Sequence, residues 1–98
     1  MAGADIDPLP APPEAEAQGG IEVLRAFIVD GKLEVSLRRA FEEPEVWGML
    51  IADVARHAAR IFSTETDLSE DEALAKIRDM FEAELDTPTD PGSTSALS

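Results

Sequence analysis

His57 is the only histidine in a 98-residue chain that has no cysteine, so general-base chemistry at neutral pH would have to begin with it. Asp53 stands four residues earlier, close enough along a helix for a carboxylate to meet an imidazole. A nucleophile for the pair to activate is lacking, because Ser36 and Ser63 stand in no recognised motif. The plainer reading of His57 is a residue at the border of an amphipathic helix.

The arginines suggest different chemistry. Arg25 and Arg38 fall on one side of a β-hairpin, and Arg56 and Arg60 lie a turn apart on a helix, so a phosphate or carboxylate could be gripped by paired guanidinium groups. The anion-binding reading groups Arg25, Arg38 and His57. Against it stand 21 acids for 8 basic residues, enough to occupy every arginine in ordinary surface ion pairs. Acids at 65, 67, 70, 71 and 72 in "STETDLSEDE" lack the spacing and glycine of a calcium loop. One histidine without cysteine leaves no four-ligand zinc site. "DGK" is a turn, and Gly19-Gly20 precede a strand instead of a helix, so no phosphate-binding loop is present. No catalytic residue, metal or cofactor is expected.

The elements that position these residues follow from pattern. Asp30-Gly31 suits a two-residue type I′ turn, which needs positive φ at both positions. The register then sets Val29 opposite Lys32, Ile28 opposite Leu33, Ala26 opposite Val35 and Leu24 opposite Leu37. Leu24, Ala26, Ile28, Leu33, Val35 and Leu37 fall on one side, and a one-residue slip would send half of them to water. Val23, Arg25, Phe27, Val29, Lys32, Glu34, Ser36 and Arg38 share the second side. Pro44, after two acids, suits the first turn of a helix over residues 44–62. Its apolar face is Trp47, Leu50, Ile51, Val54, Ala58, Ile61 and Phe62, the expected cover for the hairpin. Beside it runs a stripe of small residues, Gly48, Ala52, Ala55 and Ala59, suited to close helix packing. Ser69 and Glu72 have capping-box spacing, with Leu68 and Ala73 placed as a staple, and open a second helix over 70–85. The expected fold is α+β, ordered β-β-α-α, an antiparallel hairpin covered on one face by two helices.

Composition bounds the domain. Residues 1–20 hold four of the seven prolines and four acids without a base, the signature of a disordered tail, and residues 86–98 share that character. A single domain over 21–85 remains, a length that usually needs extra stabilisation from a metal, a disulfide or a partner subunit. The net charge of −13 disfavours nucleic acid as a partner. With no signal-like segment and no apolar run near the ~20 residues of a membrane span, the expectation is a cytoplasmic protein with no membrane partner.

The run "EVLRAFIVDGKLEVSLRRAFEEPEVWGMLIADVARHAARIF", with Trp47-Gly48 and Ala55-Arg56-His57 following the hairpin, resembles a family of short, uncharacterised proteobacterial proteins recorded only as a domain of unknown function. The resemblance covers residues 21–85, and implies a bacterial origin without implying an activity.

A two-stranded sheet has two open edges, and Val23, Phe27 and Val29 make its second side apolar. Met49, opposite Trp47 on the helix, offers a soft exposed contact. These four residues form the expected partner surface of a non-enzymatic interaction module, self-associating as a homodimer or docking another protein as an accessory subunit. The alternative is a small anionic-ligand binder or enzyme built on Arg25, Arg38 and His57.

Overall fold

The computed structural model describes residues 5–92 and 94. Its elements are α1 (Pro13–Gln18), β1 (Leu24–Val29), β2 (Lys32–Leu37), α2 (Glu45–Glu65) and α3 (Glu70–Asp86). The chain divides into two units, one ending at Arg38 and one beginning at Arg39.

In the first unit, β1 and β2 pair antiparallel in the register read from the sequence, from Leu24↔Leu37 to Val29↔Lys32. Asp30 and Gly31 take φ of 51° and 78°, the left-handed pair that a type I′ turn demands. On the aliphatic side of the hairpin Ile28, Leu33, Val35 and Leu24 are 73, 65, 49 and 37% exposed. The half-buried residues are Val23 and Phe27, on the other side, and Leu37.

Residues 1–20, expected as a tail, include one helical element. Pro13–Gln18 forms α1. Pro13 at the first helical position costs no hydrogen bond, Glu14 and Glu16 sit in the positive first turn, and the Gly19 N–H closes on the Ala15 carbonyl at 2.8 Å. Gln18 Nε2 also donates to Glu14 at 2.7 Å. The parts of the two tail expectations that fall on residues 1–4, 93 and 95–98 lie outside the described residues.

The second unit is a helical hairpin. α2 starts at Glu45, with Pro44 as its N-cap and so one residue later than expected, and runs to Glu65, beyond the expected end at Phe62. The extra turn is held by hydroxyls: Ser63 and Thr64 donate to the carbonyls of Arg60 and Ile61, and Thr66 closes the end on Phe62 through both its N–H and its hydroxyl. α3 opens with the full capping box, the Glu72 N–H donating to the Ser69 hydroxyl and the Ser69 N–H to the Glu72 carboxylate, each at 3.1 Å. The helices pack through Ala59 and Ala73, the two buried residues among those described. The expected small-residue seam is therefore used in its C-terminal half, where Ala55 is half-buried, while Ala52 is exposed and a Cβ added at Gly48 would meet nothing within 4 Å. Thr89, expected in the trailing tail, donates to Glu84 through its N–H and hydroxyl and folds the chain back onto the end of α3.

Candidate functional site

The two arginines of the hairpin converge on Glu22, which the sequence reading did not single out. Arg25 Nε lies 3.3 Å from the Glu22 carboxylate, its guanidinium stands 5.2 Å over the Phe27 ring, and Arg38 Nε donates to the Glu22 backbone carbonyl at 2.8 Å. Both guanidinium groups are thus engaged locally, with donors left over. Glu22 and Arg38 are sixteen residues apart and meet only because the hairpin returns the chain. His57, the third member of the anion-binding group, lies on α2 in the other unit. Its Nε2 is 3.5 Å from Asp53 Oδ2, the geometry expected from their spacing, and both side chains are exposed. An exposed pair of this kind contributes little. Among the described residues, no group of three or more histidines and acids gathers to hold a metal ion.

Apolar surface is more prominent. Of the four residues expected to meet a partner, Val29 and Met49 are 50 and 72% exposed, while Val23 and Phe27 are half-buried. The larger exposed surface of the hairpin is its aliphatic side, Leu24, Ile28, Leu33 and Val35, which the sequence reading had assigned to intramolecular packing. Its alternation was legible, but no sequence signal says which of two half-apolar sides stays open. A groove of ≈ 780 Å³ is lined by Leu24, Arg25, Ala26 and Phe27 of β1 and by the segment from Asp7 to Pro12, with Ala15 and Glu16 of α1. The lining takes in four consecutive residues of β1 and therefore both of its faces.

Trp47 was expected to anchor a core. It is half-buried and fixes the approach to α2: its Nε1 donates to the Arg39 carbonyl at 2.8 Å, and its ring meets that of Phe41 at 5.5 Å and 71°. The same carbonyl accepts the Phe41 N–H at 2.6 Å across Ala40, whose φ is 60°. That is a γ-turn of the strained, positive-φ kind.

Fold and site together define a small α+β chain, an antiparallel hairpin followed by two helices, whose surface is marked by open apolar side chains more than by converging polar ones. The chain belongs to the family described as Domain of unknown function (DUF5076), which matches residues 8–89. That span takes in the segment from Pro8 through α1, outside the 21–85 of the resemblance read from sequence. A solved structure described as "a putative pyruvate dehydrogenase from the photosynthetic bacterium Rhodopseudomonas palustrus CGA009" is 50% identical over 100% of both chains, with a TM-score of 0.74. No curated protein matches the chain significantly. No helix among the described residues is long and apolar enough to cross a membrane.

Proposed function

We propose that this chain is a non-enzymatic protein-interaction module that self-associates through its β-hairpin. The observation that carries the reading is the open aliphatic side of the hairpin, with Ile28 and Leu33 at 73 and 65% exposure, on a sheet of two strands with both edges free. Apolar side chains gathered on an unpaired sheet are the usual mark of an interface. Closed two-fold dimers are the commonest way such a surface is satisfied by a second copy. Sedimentation equilibrium at micromolar concentration is the test. The expected result is a species of twice the 10.5 kDa chain mass, shifted toward monomer by Ile28→Lys; a monomer at all concentrations overturns the reading.

A second reading, a small anionic-ligand binder or enzyme, draws support from two observations: Arg25 and Arg38 share Glu22, and the 50% identical relative is described in terms of pyruvate, itself a carboxylate. Pyruvate dehydrogenation is cofactor chemistry, so the description would give this chain a part in the process through ligand or subunit binding. Titration with pyruvate and with phosphate, followed by amide shifts, separates the readings. Shifts clustered at Arg25, Arg38 and Glu22 favour the anion, and unchanged spectra remove it.

A further inference from the structure

The groove lined by β1 and the segment from Asp7 to Pro12 lies wholly within the first unit, and its chemistry is independent of self-association. Its volume of ≈ 780 Å³ falls within the range of about 300–1,000 Å³ usual for small-molecule sites. Such sites pair an apolar lining with a few polar groups that select the class of ligand. Here the polar groups are strongly biased.

The charged side chains of the lining are Asp7, Glu16, Glu22 and Arg25, three carboxylates to one guanidinium. Arg25 is already committed, with its Nε 3.3 Å from the Glu22 carboxylate and its guanidinium 5.2 Å over the Phe27 ring. Asp7 and Glu16 are left, and among the described residues neither forms an ion pair. The uncompensated charge of the groove is therefore negative.

The backbone of the opposite wall has the same bias. Every second residue there is proline, at positions 8, 10 and 12, and proline keeps a carbonyl acceptor while lacking the N–H donor. The Pro12 carbonyl is taken by the Ala15 and Glu16 N–H groups at 3.0 and 3.1 Å, but among the described residues no backbone N–H reaches the carbonyls from Asp7 to Ala11. This wall is rich in acceptors and short of donors. An anion, which carries only acceptors, is poorly matched to it; an ammonium or guanidinium, which carries only donors, is well matched.

We propose that the groove binds a small organic cation, an ammonium or guanidinium group carried on an apolar body. Asp7, Glu16 and the open carbonyls of the proline-rich wall take the head group, and Ile21, Leu24 and Phe27 take the body. Ile21 and Leu24 are 76 and 37% exposed, so a ligand there removes apolar surface from water. Arg25 shows the mode of recognition within the chain itself: a guanidinium set between a carboxylate and an aromatic ring.

The test is titration of the unmodified full chain at neutral pH with phenethylamine, phenethyl alcohol and phenylacetate, which share one apolar body and differ in head-group charge, and with ethylamine as charge without the body. Salt at about 0.1 M damps the general attraction of cations to an acidic chain. Phenethylamine is expected to move the amides of Leu9, Ala11, Ala15, Glu16 and Leu24–Phe27 saturably, with a dissociation constant at least about fivefold below those of the alcohol and of ethylamine, and phenylacetate is expected to move none of them. The double variant Asp7→Asn, Glu16→Gln should weaken phenethylamine at least about fivefold and leave the alcohol unchanged. Phenylacetate binding as tightly as the amine, amine shifts spread over the acids of α2 and α3, equal binding of amine and alcohol, or no saturable shift with any probe overturns the proposal. So does a double variant that binds the amine like the native chain. Should that variant lose the hairpin, the comparison of probes on the native chain still decides. Sedimentation reads self-association separately, so failure here leaves that reading untouched.

Discussion

Trp47 and Gly48 are neighbours with opposite consequences. The Trp47 indole N–H is the polar tie between the start of α2 and the Arg39 carbonyl, and its ring braces Phe41 beside the strained Ala40 turn. Trp47→Phe keeps an aromatic ring and loses that hydrogen bond, at an expected cost of about 1 kcal/mol, measurable by urea unfolding and accompanied by a reduced near-ultraviolet signal. Gly48 lies inside α2 with open space where a Cβ would go, so it carries the backbone entropy of glycine without a packing reason. Gly48→Ala is expected to stabilise the chain by about 0.5–1 kcal/mol. Loss of stability instead would mean that a second chain approaches the α2 backbone there.

The start of α3 couples its stability to pH. The Glu72 carboxyl is held below its ordinary value of 4.5 first by the Ser69 backbone N–H and then by the Ser69 side chain, partly opposed by desolvation and helped by Lys76. A carboxyl lowered in the folded state favours folding fully above its unfolded value, and that contribution disappears as pH falls through the folded value. Glu84, lowered by its bonds from Thr89, acts in the same direction at the other end of the helix. The thermal midpoint should therefore decline as pH drops below 4.5, and the decline should be shallower in Glu72→Gln. Ser69→Ala removes the acceptor for the Glu72 N–H and is expected to cost about 1 kcal/mol at neutral pH. This capping box and the hairpin register were legible in the sequence because two local signals agreed at each: Ser-x-x-Glu ahead of an apolar stripe, and Asp-Gly between alternating strands. The last turn of α2 was not, because Ser63, Thr64 and Thr66 are turn-forming types that here bond back to helical carbonyls. α1 was hidden by weighing prolines as composition when Pro13 stands at the one helical position where proline fits. The Glu22 cluster depends on contacts made only after the hairpin closes, which no local pattern encodes.

For the whole molecule, the question is how a chain of net charge −13 gains stability when, among the described residues, Ala59 and Ala73 are the buried apolar ones. Small domains with so little interior commonly obtain the remainder from a second subunit, and apolar side chains stand exposed on the hairpin, Ile28 and Leu33 among them, and on the helices, Ile61, Met80 and Leu85 among them. Bringing two copies together sets their acids against one another, while the proposed contact itself is apolar side chains. Salt should therefore strengthen association. Raising ionic strength from about 0.01 M to about 0.1 M shortens the screening length from about 30 Å to about 10 Å, which weakens the repulsion between copies and leaves apolar burial intact. The dimer dissociation constant, followed by sedimentation velocity across that range, is expected to fall several-fold. A contact made instead through Arg25 and Arg38 with acidic groups of another chain would respond in the opposite sense, because screening removes its attraction. The sign of the salt dependence thus identifies the dominant contact without any substitution: a dissociation constant that rises with salt would assign the interface to the charged side of the hairpin and set aside the apolar one.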